Sequence, residues 1–170
     1  FLTVNLKTKE QQLTKYWDVF EAYNKPKINC TDEEAIEHTD HLLKKAYEYR
    51  MVADVPVGIF LSGGYDSSSV AALLQTGRTD KLKTFTIGFH EQEFNEAPEA
   101  KKIANFLGTD HTEWYITAKE AGDVLHHLPE IYDEPFADNS TVPTVLVSKL
   151  AKQQVKVALS ADGGDEIFGG

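Results

Sequence analysis

The chain has 170 residues, 41% of them hydrophobic and 26% charged, which is ordinary for a globular protein and enough for one α/β domain with its own core. With 27 acidic and 17 basic residues its formal charge is −10, which argues against a broad interface with a phosphate backbone, so no nucleic-acid partner is expected. A single cysteine, Cys30, excludes an internal disulfide and fits a reducing cytosol, and no apolar run approaches membrane-spanning length. A cytoplasmic protein with no membrane partner is therefore expected.

Residues Phe1 to Leu6 alternate weakly, like an isolated strand. A Lys/Gln/Thr-rich stretch to Asp18 and a polar connection through Pro26 and Cys30 read as a linker or the tail of a preceding domain. Thr31 and Glu34 have the spacing of a capping box. Behind them Ala35, Thr39, Leu42, Leu43, Ala46 and Tyr47 recur at helical period, which predicts an amphipathic helix from Asp32 to about Met51. Pro56 to Leu61 is the first core strand, followed by a helix from about Asp66 to Gln75 that Gly77 ends.

Leu82 to Phe89 reads as a second strand. Asn95 can cap a helix with Ala100, Ile103, Ala104 and Leu107 on one face, stopped by Gly108. Thr112 to Ile116 alternates as a third strand. Thr117 and Glu120 form another capping box ahead of Ala121, Val124, Leu125 and Leu128, with Pro129 at the end. Ser140 to Lys152 suits a helix with Pro143 in its first turn, and Val155 to Leu159 is a fourth strand. Strands alternating with such helices predict an α/β fold with an open, doubly wound parallel sheet flanked by helices. Ligands of these sheets sit at the carboxyl ends of the strands, which groups Ser62–Ser68, Ile87–Glu91 and Ser160–Glu166.

The first of these loops, Ser62-Gly63-Gly64-Tyr65-Asp66-Ser67-Ser68, joins a strand to a helix. Small residues let the main chain curl with its N–H groups inward, and the helix presents its positive end to the same point, so the loop suits phosphate. A carboxylate beside phosphate is repulsive unless a cation lies between, so Asp66 suggests Mg²⁺. The Gly-Lys-Ser/Thr ending of a P-loop is missing, and so is the third glycine of a dinucleotide fingerprint. The last loop, Ser160-Ala161-Asp162-Gly163-Gly164-Asp165-Glu166, sets three carboxylates among glycines, which costs self-repulsion unless a cation is present.

Ser-Gly-Gly-x-Asp-Ser-Ser after a strand resembles the PP-loop of the ATP pyrophosphatases. Paired with Leu-Ser-x-Asp-Gly-Gly-Asp-Glu-x-Phe-Gly-Gly, it resembles the synthetase domain of the asparagine synthase family. Phe85–Phe89, Phe94–Ala97, Leu107–His111 and Tyr132–Ser140 are similar to further family segments, so the likeness covers the whole chain. It implies an adenine nucleotide α-hydrolase-like fold. It also implies that residues 1–30 are the tail of a glutaminase domain plus linker, and that 31–170 are a synthetase domain truncated at its C-terminal end. The chain does not start with Met and stops directly after a motif. It is expected to be a fragment, inactive alone, because the family places a catalytic lysine further on.

By the same resemblance, Ser62, Gly63, Gly64, Asp66, Ser67 and Ser68 grip pyrophosphate, and Asp66 and Asp165 hold Mg²⁺ on the triphosphate. Leu61 and Ile87 receive the adenine on their backbone, and Ser160 and Ala161 close the other side of the nucleotide pocket. Asp162 stands where some relatives carry a Glu implicated in acid/base work on ammonia, and is expected to be catalytic with Asp165. Ala161 replaces a usual glycine and would be strained if that position needs positive φ. Tyr65 replaces a usual Leu, a change expected to be mild.

The implied reaction is ATP-dependent adenylation of the aspartate β-carboxylate, then amination by ammonia that a glutaminase domain draws from glutamine. A homodimer is compatible with this. Relatives that amidate sugar acids or close β-lactam rings, a tRNA-modifying PP-loop enzyme, and a non-catalytic scaffold are the alternatives. Asp133 to Asn139, ahead of the Ser140 helix, could take an amino-acid substrate or be a solvated loop. His126-His127, His38 with His41, and Cys30 are read as surface residues without a metal or catalytic role.

Overall fold

A computed structural model describes residues 1–90, 95–135 and 138–168. The chain divides into two compact units, Phe1–Ile36 and Glu37–Gly170.

In the first unit β1 (Leu2–Val4) pairs antiparallel with β2 (Gln11–Leu13), Leu2 opposite Leu13. Asn5 Oδ1 accepts from the Lys7 and Thr8 N–H groups, and Lys9 takes a left-handed φ of 64°, which turns the chain between the strands. The strand expected to be isolated thus has a partner. Gln11-Gln12-Leu13 is too short and polar to register by alternation, and only the turn reveals it. Asp18 Oδ1 accepts from Phe20 N and caps α1 (Val19–Tyr23), an unexpected helix. Thr31 Oγ1 accepts from Glu34 N while Glu34 Oε2 accepts from Thr31 N, the expected capping box of α2 (Asp32–Arg50).

The second unit is built on a four-stranded sheet of β3 (Val57–Phe60), β4 (Lys83–Phe89), β5 (Asp110–Ile116) and β6 (Val157–Leu159). Every neighbouring pair is parallel, and the order across the sheet is β5-β4-β3-β6. Side chains alternate between its faces. Ile59 and Leu61 point to α3 (Tyr65–Gln75) and α4 (Ala97–Leu107), packing with Val70, Leu74, Ala71, Ala100 and Ala104. Tyr47 and Met51, at the end of α2 and beyond, join the same side. Phe85 faces the other way and packs on Val147, Leu150 and Ala151 of α7 (Thr141–Ala151) and on Val155, with Phe60 and Ile87 alongside. With helices on both faces, the central strands read as continuous apolar runs. Fully burying a side chain such as Ile59 or Phe85 contributes about 1.5–3 kcal/mol.

Local chemistry sets the element ends. Asn95 Oδ1 accepts from Ala97 N and from Phe89 N, tying the start of α4 to the end of β4. Gly108 ends α4 with a left-handed φ of 73°. Thr117 and Glu120 complete the capping box of α5 (Ala118–Leu125). Pro129 does not end the helical segment but sits in the first turn of a short α6 (Leu128–Ile131), where its missing N–H costs nothing. β5 starts at Asp110, ahead of the expected Thr112, because Asp110 pairs with Lys83 in the ladder and its carboxylate takes the Lys83 ammonium at 2.9 Å. The expected strand start at Val155 moves to Val157, and α8 (Gly164–Phe168) forms where a loop was expected.

At the amino end of the sheet, His111 Nδ1 lies 2.9 Å from Thr84 Oγ1, which also meets Thr109 Oγ1 at 2.9 Å, while Nε2 is buried without a partner. Burial pushes the imidazole below its ordinary pKa of 6.5; Glu113 opposes the fall and Lys101 adds to it. The folded state therefore resists a proton that the unfolded chain accepts. Stability from this site is complete above pH 6.5 and is lost as the pH falls from there through the lower folded-state value. Urea midpoints at pH 7.5 and 5.5 test this. His111→Gln is expected to lose less stability than the wild type over that interval, and equal losses would refute it.

Candidate functional site

The chain enters the sheet at its middle. From β3 it moves to β4 and β5 on one side, then returns through α7 to β6 on the other. The strand order therefore reverses direction between β3 and β6, and ligands of such sheets sit at the carboxyl ends of the strands at that switch point. A cleft of about 710 Å³ lies there, lined by Ser62, Gly64 and Asp66 from the first loop and Ser160, Asp162 and Asp165 from the last. A second cavity of about 710 Å³, lined by Leu61, Ile87 and Ser140, shares Phe60, Ser62 and Val147 with the first. Both volumes fall in the range of small-molecule sites. The structure thus brings together every expected site residue from the two loops except Gly63 and Ser68, which sit behind the lining.

Gly63 turns the loop with a φ of +95°, and a Cβ there would lie 3.1 Å from Ala100 N and 3.2 Å from Glu99 Cβ. The loop is thus pressed onto the start of α4, which only glycine permits. Ser67 is 7% exposed, and its hydroxyl is a hub. It accepts from Ser62 N at 3.1 Å, meets Ser62 Oγ at 2.9 Å and donates to Gly64 O at 3.3 Å. Ser62 Oγ in turn accepts from Gly64 N at 3.2 Å. Next to it, Ser68 Oγ is buried and has no partner. Tyr65 opens α3 at the mouth of the cleft and is 93% exposed.

The last loop approaches the first closely. A Cβ built on Gly164 would fall inside the carboxylate of Asp66, with Oδ1 only 2.9 Å away. The missing side chain of Gly164 therefore seats Asp66. Asp165 and Glu166 follow in the first turn of α8. Ser160 Oγ donates to Asp162 Oδ2 at 2.7 Å and fixes that carboxylate. The turn is carried by Gly163, at φ +97°. Ala161 has no positive φ, since Lys9 is the only such non-glycine among the described residues, so the strain considered for Ala161 is absent. Its side chain packs instead on the Ile59 and Val70 cluster.

Leu61 has a buried side chain and a backbone partly spoken for. Its N–H donates to Phe85 O at 2.9 Å, and its carbonyl accepts from Thr86 Oγ1. Only a remaining lone pair of that carbonyl is left for a ligand. Thr86 is a residue that sequence reasoning missed; the available signal was a Thr on the buried face of a central strand. Tyr47 was missed as well. Burial and then the Asp66 charge push its phenol above the usual value of 10.0, which places it in the field of the site.

Among the described residues no group of three or more His, Cys, Asp and Glu side chains could hold a metal. Mg²⁺ is commonly held by one or two carboxylates together with substrate phosphates and water. Asp66 and Asp165, on one cleft beside a phosphate-shaped loop, fit an ion of that kind and not a closed protein cage. His127 Nδ1 lies 3.4 Å from Glu130 Oε2 on the surface, and Cys30 is exposed and free. No helix among the described residues is long and apolar enough to cross a membrane.

The Asp133–Asn139 run is divided. Asp133 and Glu134 line a separate cavity of about 310 Å³ with Leu125, Leu128 and Pro129, whereas Asn139 and Ser140 line the cavity beside Ile87. Asp138 Oδ1 accepts from Ser140 N at 2.8 Å, and the hydrogen bonds from Ser140 hold its carboxyl below the usual range. Phe136 and Ala137 of that run, Glu91 and Phe94 after β4, and Gly169 and Gly170 of the last motif lie outside the described residues.

Residues 38–170 match the family described as asparagine synthase. A protein of Methanocaldococcus jannaschii, named among the glutamine-hydrolyzing asparagine synthetases, is 40% identical over 99% of this chain and 32% of its own length. Asparagine synthetase (glutamine-hydrolyzing) 1 of Bacillus subtilis is 37% identical over 89% of this chain and 24% of its own. The chain thus spans a third or less of the length of these relatives. Among solved structures, the NH3-dependent NAD synthetase of Campylobacter jejuni aligns with a TM-score of 0.53 over 78% of this chain and 58% of that one. At 12% identity that likeness concerns the fold, a parallel sheet flanked by helices.

Proposed function

The chain belongs to the asparagine synthase family, and we propose that the protein carrying it is a ligase that adenylates a carboxylate with ATP and converts it to an amide with ammonia. The observation that carries this reading is the meeting of two loops at the switch point, with Asp66 seated on Gly164 over a cleft that also holds Asp165.

The triphosphate lies in that cleft. Backbone N–H groups of the Ser62–Ser68 loop receive the β- and γ-phosphates, and Asp66 and Asp165 would hold Mg²⁺ beside them. The ion supplies charge neutralisation on the phosphates. The adenine occupies the neighbouring cavity, with polar contacts from the backbone of Ile87 and the free lone pair of Leu61 O. Ser160 and Ala161 close the far side.

The β-carboxylate of aspartate attacks the α-phosphorus, the bond from that phosphorus to the bridging oxygen breaks, and pyrophosphate leaves in the loop. Ammonia then attacks the acyl carbon and AMP departs, giving asparagine. Asp162, fixed by Ser160, takes the proton that the attacking nitrogen loses. The work asked of the protein is positioning and charge stabilisation, not a protein nucleophile. The ammonia comes from glutamine through a glutaminase domain elsewhere in the protein.

The full-length protein, ATP, Mg²⁺, aspartate and glutamine should release pyrophosphate and AMP in equal amounts. Asp66→Ala should lower that rate by roughly 100-fold or more, the scale of losing a principal electrostatic contact. A screen of other carboxylic acids, including sugar acids, identifies the acceptor. Should no carboxylate drive pyrophosphate release, the adenylation reading falls.

A further inference from the structure

The second cavity carries one charge. Among the described residues that line it, Glu96 alone is charged, in company with Phe60, Ile87, Pro143 and Asn139. Glu96 stands at the start of α4, where a side-chain oxygen commonly closes on the free N–H groups of the first turn. Its carboxylate makes no such bond. Asn95 does that work instead, since its Oδ1 accepts from Ala97 N at 3.2 Å. The Glu96 backbone is nonetheless fixed. Its carbonyl accepts from Glu99 N at 3.1 Å and from Ala100 N at 3.0 Å, and it lies 3.5 Å from where a Cβ on Gly63 would be. The chain thus mounts an exposed carboxylate, unspent on capping, on a rigid turn beside the phosphate loop.

The two cavities meet at Ser62. With the triphosphate in the first cleft and adenine in the second cavity, the α-phosphate lies at that border. The attacking and leaving oxygens of phosphoryl chemistry stand roughly in line. Pyrophosphate departs into the first cleft, so the acceptor carboxylate comes from the second cavity, where Glu96 is. We infer that Glu96 binds the ammonium group of an amino-acid acceptor, and so selects amino acids over sugar acids and other carboxylic acids that lack a positive charge. This rests on the adenylation reading above and adds the class of acceptor to it. A neutral substituent leaves Glu96 without an ion partner, and a second carboxylate without an ammonium sets like charges side by side. Asn139 offers a neutral amide donor to the remaining carboxylate of an acid such as aspartate.

Pyrophosphate release by the full-length protein with ATP, Mg²⁺ and glutamine, measured against aspartate and against succinate, tests this. Succinate keeps both carboxylates and lacks the ammonium. The wild type should prefer aspartate in kcat/KM by at least roughly tenfold, and Glu96→Gln should raise the KM for aspartate roughly 10- to 100-fold, the scale of a lost hydrogen bond between charged groups. The same variant should narrow the preference over succinate by a similar factor and leave the KM for ATP unchanged, a split that general unfolding would not give. Glu96→Asp, which keeps the charge, should recover part of the aspartate affinity. Glu96→Ser, which suits a helix start, should act like Glu96→Gln and serves if that variant misfolds. An unchanged KM for aspartate in the variants without the charge overturns the inference alone. So does a rise confined to the KM for ATP, which would assign Glu96 to the ribose. Wild-type protein that releases pyrophosphate with sugar acids and not with amino acids also overturns it, and leaves adenylation standing. Wild-type protein that releases none with any carboxylate overturns the adenylation reading and this inference with it.

Discussion

In Gly164→Ala, ATP-driven pyrophosphate release is expected to fall by roughly 100-fold or more while the protein keeps its fold, because the change displaces the carboxylate to which the proposed reaction assigns the metal. The argument is steric. The methyl group would occupy the space of the Asp66 carboxylate, with Oδ1 only 2.9 Å from it. Asp66 lies in the first turn of α3, so its backbone is fixed by the helix and only its side chain can yield. Turning that side chain away removes the carboxylate from the cleft it shares with Asp165. The loop bearing Gly164 can yield instead, which widens the gap between the two phosphate-facing segments. On the proposed reading either response should cost Mg²⁺–ATP affinity, so the KM for ATP should rise along with the fall in rate. Circular dichroism and the ATP dependence of pyrophosphate release together check this. A variant with wild-type turnover would show that Asp66 does not need its present seat.

Gly58→Ala should act on stability and not on chemistry. Gly58 lies in the central strand β3, and a Cβ there would sit 2.5 Å from Phe85 Cε2 and 3.3 Å from Lys83 O. Phe85 is fully buried against Val147, Leu150, Ala151 and Val155, so shifting its ring disturbs that packing. Overpacking of this kind costs about 1–3 kcal/mol, and the small gain from replacing glycine in a strand offsets less than about 1 kcal/mol of it. Urea denaturation should show a lower midpoint with an unchanged slope. Gly77 is the contrasting case: nothing lies within 4 Å of its would-be Cβ, and only its φ of +81° resists substitution. A Gly58→Ala protein as stable as the wild type would mean that Phe85 can repack.

The parts of the fold that follow from period and capping were legible in the sequence. Ile59 and Leu61 alternate with Phe60, and the burial of both sets gave the apolar run of a central parallel strand. Thr117 and Glu120 announced α5 through a pattern that works locally. The Ser62–Ser68 and Ser160–Glu166 loops were visible because glycine and carboxylate clusters at strand ends are rare without a purpose. What could not be read are contacts made between distant segments. Nothing in the letters around Gly164 says that it abuts Asp66. Ser67 and Ser68 are identical letters whose side chains diverge by about 100° around a helix, so one is tied inward and the other is left unpartnered. Gln11–Leu13 was hidden for another reason: a short polar strand has no pattern of its own and depends on its partner.

The order of the strands also has a consequence for how the site comes into being. β3 and β6 are held side by side by a ladder of only three residue pairs, Val57 with Val157 through Ile59 with Leu159. All of α3 to α7 intervenes between them along the chain. Such a distant pairing closes a long loop, so it is expected to form after the elements that depend on neighbours in sequence. The phosphate loop after β3 can take shape early, from neighbours in sequence, but the carboxylates after β6 reach it only when the last strand docks. Nucleotide that needs both loops binds the finished sheet and not its precursors, so it should stabilise the docked edge strand in proportion to its concentration. A nucleotide bound in this way would be a late folding partner of the chain as well as its proposed substrate.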